Sequence, residues 1–132
     1  MRRMSFSMTE RQLLDGSKTV TRRLGWVHLK PGDKLLAVRK AQGLKRGERQ
    51  VVLGTITVVD VRREALDAIT RDDCTREGYP DLSPAQFVDM FRTSFSRRLT
   101  SAQEITRIEF TFAPLPGAKP GVDVSATTPE GE

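Results

Sequence analysis

Eight consecutive residues, Gly16-Ser17-Lys18-Thr19-Val20-Thr21-Arg22-Arg23, put an ammonium, two threonine hydroxyls and two guanidiniums into one short stretch. On an extended segment side chains alternate, so Thr19, Thr21 and Arg23 would share a face. Such a face offers hydrogen-bond donors to a phosphate or to the polar edge of a base. A threonine hydroxyl attacks an amide only after a base removes its proton. Lys18 supplies that base if burial lowers its pKa. If a carboxylate elsewhere in the chain is the base, Lys18 becomes the cation facing a developing oxyanion. Arg23 has the forked geometry to hold a phosphate or a pyrimidine carbonyl. On a solvated connecting loop the same residues would do none of this.

Other residues add nucleic-acid chemistry. The stretch Arg39–Gln50 carries five bases (Arg39, Lys40, Lys45, Arg46 and Arg49) against the single acid Glu48, which suits a hairpin arm on a phosphate backbone. Trp26 and Tyr79 could stack on a base, although packing is the commoner fate of an aromatic residue. Lys and Arg number 22 against 17 acids, a formal charge of +5 over 132 residues. The charge is uneven: residues 114–132 carry a net −2, and the rest of the chain +7. A body this basic favours polyanions.

Composition also excludes. One cysteine, Cys74, rules out an intrachain disulfide and a cysteine-built zinc site. With His28 as the sole histidine, no histidine-pair metal motif exists. We expect neither a metal nor a cofactor. No run approaches the roughly 20 apolar residues needed to span a bilayer, and no apolar segment follows Arg2-Arg3 as in a secretory signal. The expectation is a protein of the cytoplasm that does not engage a membrane.

The positioning elements can be read from local signals. Thr9-Glu10-Arg11-Gln12 fits a capping box and opens a helix that stops at Gly16. Thr70-Arg71-Asp72-Asp73 opens a second, with acids at the positive end of its dipole. Ser83-Pro84-Ala85-Gln86 opens a third, whose Phe87, Val88, Met90, Phe91 and Phe95 form an apolar face. Strands are expected around Phe6, over Leu35–Arg39 after the Pro31-Gly32-Asp33 turn, over Val51–Val61, and over Ile105–Phe112. In the last, Ile108, Phe110 and Phe112 alternate with Arg107, Glu109 and Thr111. Strands and helices do not alternate regularly, so we expect one small α+β domain over residues 1–113, built on a curved sheet or barrel. Residues 114–132, with four prolines and three glycines, read as a disordered tail.

In this order, Gly16-x-Lys18-x-x-Thr21-x-Arg23, Pro31-Gly32-Asp33, Ile69-Thr70, Glu77-Gly78-Tyr79 and Ile108-Glu109-Phe110 resemble the ASCH domain, whose fold is related to the PUA RNA-binding barrel. The resemblance covers approximately residues 4 to 112. It implies a β-barrel of about five or six strands flanked by two or three helices, with a cleft lined by the Gly16–Arg23 segment. It further implies recognition of RNA, another single-stranded nucleic acid or a modified nucleoside, with Lys18, Thr21 and Arg23 in the cleft and Thr19 and Arg22 beside them. An alternative is an amidohydrolase acting on N4-acetylcytidine, with Lys18, Thr21 and Glu77 as the active groups. Ribonuclease activity ranks third; Asp72, Asp73 and Glu77 are its available carboxylates.

Overall fold

The β-branched stretch in mid-chain forms the longest element, the 14-residue strand β4 (Val52–Ala65). It is the frame for the others. The computed structural model describes residues 1–116, and the order of elements is β1 (Arg3–Ser5), α1 (Glu10–Leu14), β2 (Val20–Arg23), β3 (Lys34–Val38), β4, a 3-10 turn (Leu66–Ala68), α2 (Arg71–Arg76), α3 (Pro84–Thr93) and β5 (Glu104–Pro114). The strands lie in the order β1-β3-β4-β5-β2 and curl into a half-barrel. Only β1 and β3 run parallel; the other neighbours are antiparallel. A bulge between Val58 and Asp60 re-registers β4 on β5, a device that bends a strand and tightens its twist.

Two apolar clusters flank the sheet. One is built from Met4, Phe6, Leu13 and the inward residues of β3, β4 and β5. The other joins α2 and α3 to Leu66, Leu99 and Ile105. The lone Cys74 is buried in the second cluster, and His28 is exposed.

Local signals met two outcomes. Thr70 accepts from the Asp73 amide at 3.1 Å, and Ser83 and Gln86 form the complete capping box. At α1 the expected box does not form. Thr9 makes no side-chain cap, and Gln12 instead donates through Nε2 to the Gly78 carbonyl at 3.2 Å. A tertiary partner has replaced the local one. On β5 the face expected to be polar is closed at Arg107, which is 3% exposed beneath α2. The strand also runs further than expected, through Pro114, and the Leu115 amide donates to the Leu53 carbonyl at 3.1 Å. The remainder of the expected tail, from residue 117, lies outside the described residues.

Candidate functional site

The end of α2 sets the geometry of the site. The Gly78 amide donates to the Thr75 carbonyl and the Tyr79 amide to the Cys74 carbonyl, both at 2.9 Å, with Gly78 at φ +98°. This is the Schellman arrangement, which requires a left-handed residue after the helix. Glycine meets that requirement without steric cost, and it leaves Glu77 as the C-cap with its side chain aimed inward. Across from it, the Lys18 amide donates to the Gln12 carbonyl at 3.0 Å and the Thr19 amide to the Arg76 carbonyl at 2.8 Å. The segment before β2 is thus sewn between α1 and α2.

These anchors bring an ammonium to a carboxylate. Lys18 Nζ donates to Glu77 Oε1 and to the Glu77 carbonyl oxygen, each at 2.8 Å, and the two side chains are 3% and 4% exposed. Burial pulls the Lys18 pKa below its ordinary value, and Glu77 opposes that shift only in part. Thr21, on β2, accepts from Arg23 Nε at 3.1 Å. Arg23 also donates to the Ser5 carbonyl at 2.7 Å and lies 4.9 Å from the centre of the Phe6 ring. Desolvation lowers Arg23 to about 10, so it remains a cation at neutral pH.

Lys18, Thr21, Arg22, Arg23 and Glu77 form the polar wall of a cavity of about 220 Å³. The apolar part of the lining is Tyr79, with Phe87, Met90, Phe91 and Phe95 from the α3 side. Residues Ser5 to Thr9 close one side. The cavity therefore sits at the seam of the two apolar clusters, Phe6 belonging to one and Phe87 and Phe91 to the other. It can hold a ligand with one hydrogen-bonding edge and one flat apolar face.

No family model matches the sequence, and no curated protein does. Solved structures match over most of the chain. An ASCH domain from Lactobacillus crispatus JV V101 is 16% identical, with a TM-score of 0.64, covering 84% of this chain and 78% of that one. A protein of Enterococcus faecalis V583 described by the family model DUF984 is 13% identical, with a TM-score of 0.63, covering 87% and 77%. A mutant ASCH protein from Zymomonas mobilis is 13% identical, with a TM-score of 0.50, covering 90% and 69%. The chain has the ASCH fold. At these identities the likeness is one of architecture, and it matches the expected α+β half-barrel with its flanking helices.

Within the ASCH fold, the residues singled out from sequence divide into two groups. Lys18, Thr21, Arg22, Arg23, Glu77 and Tyr79 converge on the cavity. The others do not line it. Thr19 is held through its backbone, its carbonyl accepting from the Phe110 amide at 3.0 Å. Trp26 packs against the sheet cluster with the Arg2 guanidinium 4.1 Å above its ring. Arg39 is bound in a bidentate pair by Glu10 at 2.7 and 2.8 Å, and Lys40 lies 3.5 Å from Glu48. Lys45, Arg46 and Arg49 are exposed on the loop between β3 and β4.

Sequence reasoning missed the charge layer behind the cavity. Arg22 donates to Glu64 and, at 2.9 Å, to Asp73. Arg107 grips both oxygens of Asp73, at 2.7 and 2.9 Å. Those bonds, Arg107's first and Arg22's after it, hold the Asp73 carboxyl well below the usual range against the opposing effect of burial. Nothing local links Arg107 to Asp73, 34 residues apart. The aromatic lining did have a signal, the spacing of Phe87, Phe91 and Phe95, but it read as core. Glu77 does not pair with its neighbours Arg76 and Arg71; Arg76 instead meets Glu109 at 3.0 Å.

Some polar atoms remain unmet. Among the described residues, Glu77 Oε2 and the Nε and Nη1 atoms of Arg22 are buried with no hydrogen-bond partner, and Nη1 and Oε2 stand 3.9 Å apart. That is too far for a direct bond. Buried groups of this kind are expected to find a partner, and here the acceptor and the donors belong to two residues that line the same cavity. Among the described residues no group of three His, Cys, Asp or Glu side chains is placed to hold a metal ion. Nor is any described helix long and apolar enough to cross a membrane.

Proposed function

We propose that the chain takes a modified pyrimidine nucleoside into this cavity and hydrolyses the acyl amide on its exocyclic nitrogen, N4-acetylcytidine being the representative substrate. The observation that carries the reading is the Lys18–Glu77 contact at 2.8 Å, almost wholly shielded, on a cavity that Thr21 also lines and in which Glu77 Oε2 has no hydrogen-bond partner among the described residues. Buried ion pairs are poor devices for stability. Ionisable groups desolvated in a cleft are instead a mark of functional sites.

In this reading the Thr21 hydroxyl attacks the acyl carbonyl carbon, and its proton passes to the open oxygen of Glu77. Lys18, already donating to Glu77, supplies positive charge to the oxyanion. Collapse breaks the carbon–nitrogen bond, and the proton held by Glu77 goes to the departing amino group. Water then attacks the threonine ester and gives a proton to Glu77; the bond to Thr21 Oγ1 breaks, Glu77 returns the proton to that oxygen, and the carboxylic acid leaves. The α3 aromatic wall holds the flat base, and Arg22 or Arg23 meets its carbonyl. The test is incubation with N4-acetylcytidine, following cytidine by mass. Release that disappears in Thr21→Ala and in Lys18→Ala supports the reading, and activity retained in either variant removes it.

A second reading keeps the ligand and drops the reaction: the cavity recognises RNA or a modified nucleoside without turnover. The unpartnered donors of Arg22 favour it, since an acceptor on a bound base would satisfy them. Binding of N4-acetylcytidine with no cytidine released would select it. A nuclease has less support, because Asp73 is occupied by two guanidiniums and Asp72 is exposed on α2.

A further inference from the structure

Beyond Phe95 the surface opens into a second groove, of about 620 Å³, formed by the end of α3 and the segment leading to β5. Phe95 lines both this groove and the polar cavity, so the two adjoin at that residue. The groove is lined by Arg92, Arg97 and Arg98 against one acid, Asp89. Arg92 Nε donates to the Leu99 carbonyl at 2.8 Å, which ties its guanidinium to the main chain. Arg97 and Arg98 are exposed and make no ion pair among the described residues. Most cations near the cavity are compensated, whereas these two are not: Lys18 has Glu77, and Arg22 and Arg107 share Asp73.

We infer that this groove binds the phosphodiester backbone of a single-stranded RNA whose modified base occupies the cavity. The inference rests on the proposed nucleoside ligand and extends it from a free nucleoside to a nucleotide within a strand. Three observations carry it. The cavity is smaller than the roughly 300–1,000 Å³ of ordinary ligand pockets, so anything attached to the base must leave through its mouth. The groove that shares Phe95 with the cavity is lined by three arginines against one acid. Offsetting the helix dipole does not account for them, because that effect falls off within the last turn, where Arg92 already stands, while Arg97 and Arg98 lie beyond Thr93. The basic loop between β3 and β4, which looked the better backbone site from sequence, contributes no residue to the cavity lining.

The experiment has two arms, both on the full chain with Arg97→Ala/Arg98→Ala and, as control, Lys45→Ala/Arg46→Ala. In the first arm, binding of a fluorescent single-stranded RNA of about ten nucleotides carrying one N4-acetylcytidine is titrated against salt, with a DNA strand of the same sequence alongside. The arginine variant is expected to bind more weakly, with a log–log salt slope shallower by about 1.4, the change for two phosphate contacts on a single strand. The loop variant is expected to keep the parent slope. An unchanged slope in the arginine variant, or the loss appearing in the loop variant instead, overturns the proposal, as does a preference for the DNA strand. In the second arm, hydrolysis of free N4-acetylcytidine is expected to be equal in the parent and the arginine variant, while hydrolysis of the strand falls in the variant alone. If neither substrate is hydrolysed, the proposed reaction fails, and the binding arm still decides the groove. A fall on the free nucleoside as large as on the strand overturns the backbone assignment.

Discussion

Lys18 places its ammonium on both the side chain and the main chain of Glu77, a residue 59 positions away. The lysine is held by the turn after α1 and the glutamate by the turn after α2, so the contact records how well those two helix ends are fixed. Its energetics and its chemistry point in opposite directions, and that opposition can be measured.

Replacing one partner strands the other as a buried, uncompensated charge. Lys18→Met is expected to destabilise the fold by about 3–5 kcal/mol. The double variant Lys18→Met/Glu77→Met is expected to recover most of that loss or to exceed the parent, because two desolvated ions are replaced by apolar volume. Chemical denaturation of the two variants and the parent checks this. Neither variant should hydrolyse an acylated nucleoside.

For the proposed hydrolysis, the lowered Lys18 pKa implies a pH dependence. If the ammonium is the group that faces the oxyanion, the rate falls as pH rises through a value below the ordinary lysine figure of about 10.4. A pH–rate profile of the parent should show that alkaline limb. Thr21→Ser, which keeps a hydroxyl, should retain it at reduced rate, whereas Thr21→Ala should leave no rate to titrate.

Asp73 governs the acid side of stability. Its carboxyl is held below the ordinary aspartate pKa of about 3.9, so the folded state favours the ionised form. The stabilisation is therefore fully present above about pH 4 and is lost as pH falls through the lower, folded value. Asp73→Asn should flatten the acid limb of a stability–pH curve. At neutral pH it should also cost about 3–5 kcal/mol, since two guanidiniums lose their acceptor.

Gly78 is a backbone requirement rather than a filler. A Cβ there would meet Gln12 Cβ at 2.9 Å, at a φ of +98° that L-residues avoid. Gly78→Ala is expected to destabilise the protein by about 1–2 kcal/mol from the left-handed backbone alone. It should also push α1 away from Glu77 and so lower activity more than a surface substitution of equal stability cost. Comparing the melting temperature and the rate of this variant with those of an exposed control separates the two effects.

Legibility in the sequence followed the range of the interaction. Ser83 and Thr70 cap helices through bonds spanning three residues, and those were readable. The alternation of Ile108, Phe110 and Phe112 revealed β5 for the same reason. Thr9-Glu10-Arg11-Gln12 has an equally good local pattern, yet Gln12 is claimed by Gly78, 66 residues on. Arg107 reads as solvent-facing until α2 lays Asp73 over it. The cavity residues Lys18 and Thr21 stood out because polar types cluster there. Phe95 carried no such mark, because an aromatic ring lining a cavity and one filling a core look the same in one dimension.

Among the described strands, β2 has a single neighbour, β5, so its four residues find no sheet partner until residues 104–114 exist. On the ribosome, the strand Val20–Arg23 therefore has no sheet partner until nearly the whole of the described chain is translated. A fragment ending before residue 104 would have the first apolar side chains but no platform for the threonine or the guanidiniums. The threonine and the guanidiniums of β2 should therefore gain their sheet-borne placement late, and fragments ending before residue 104 should lack it.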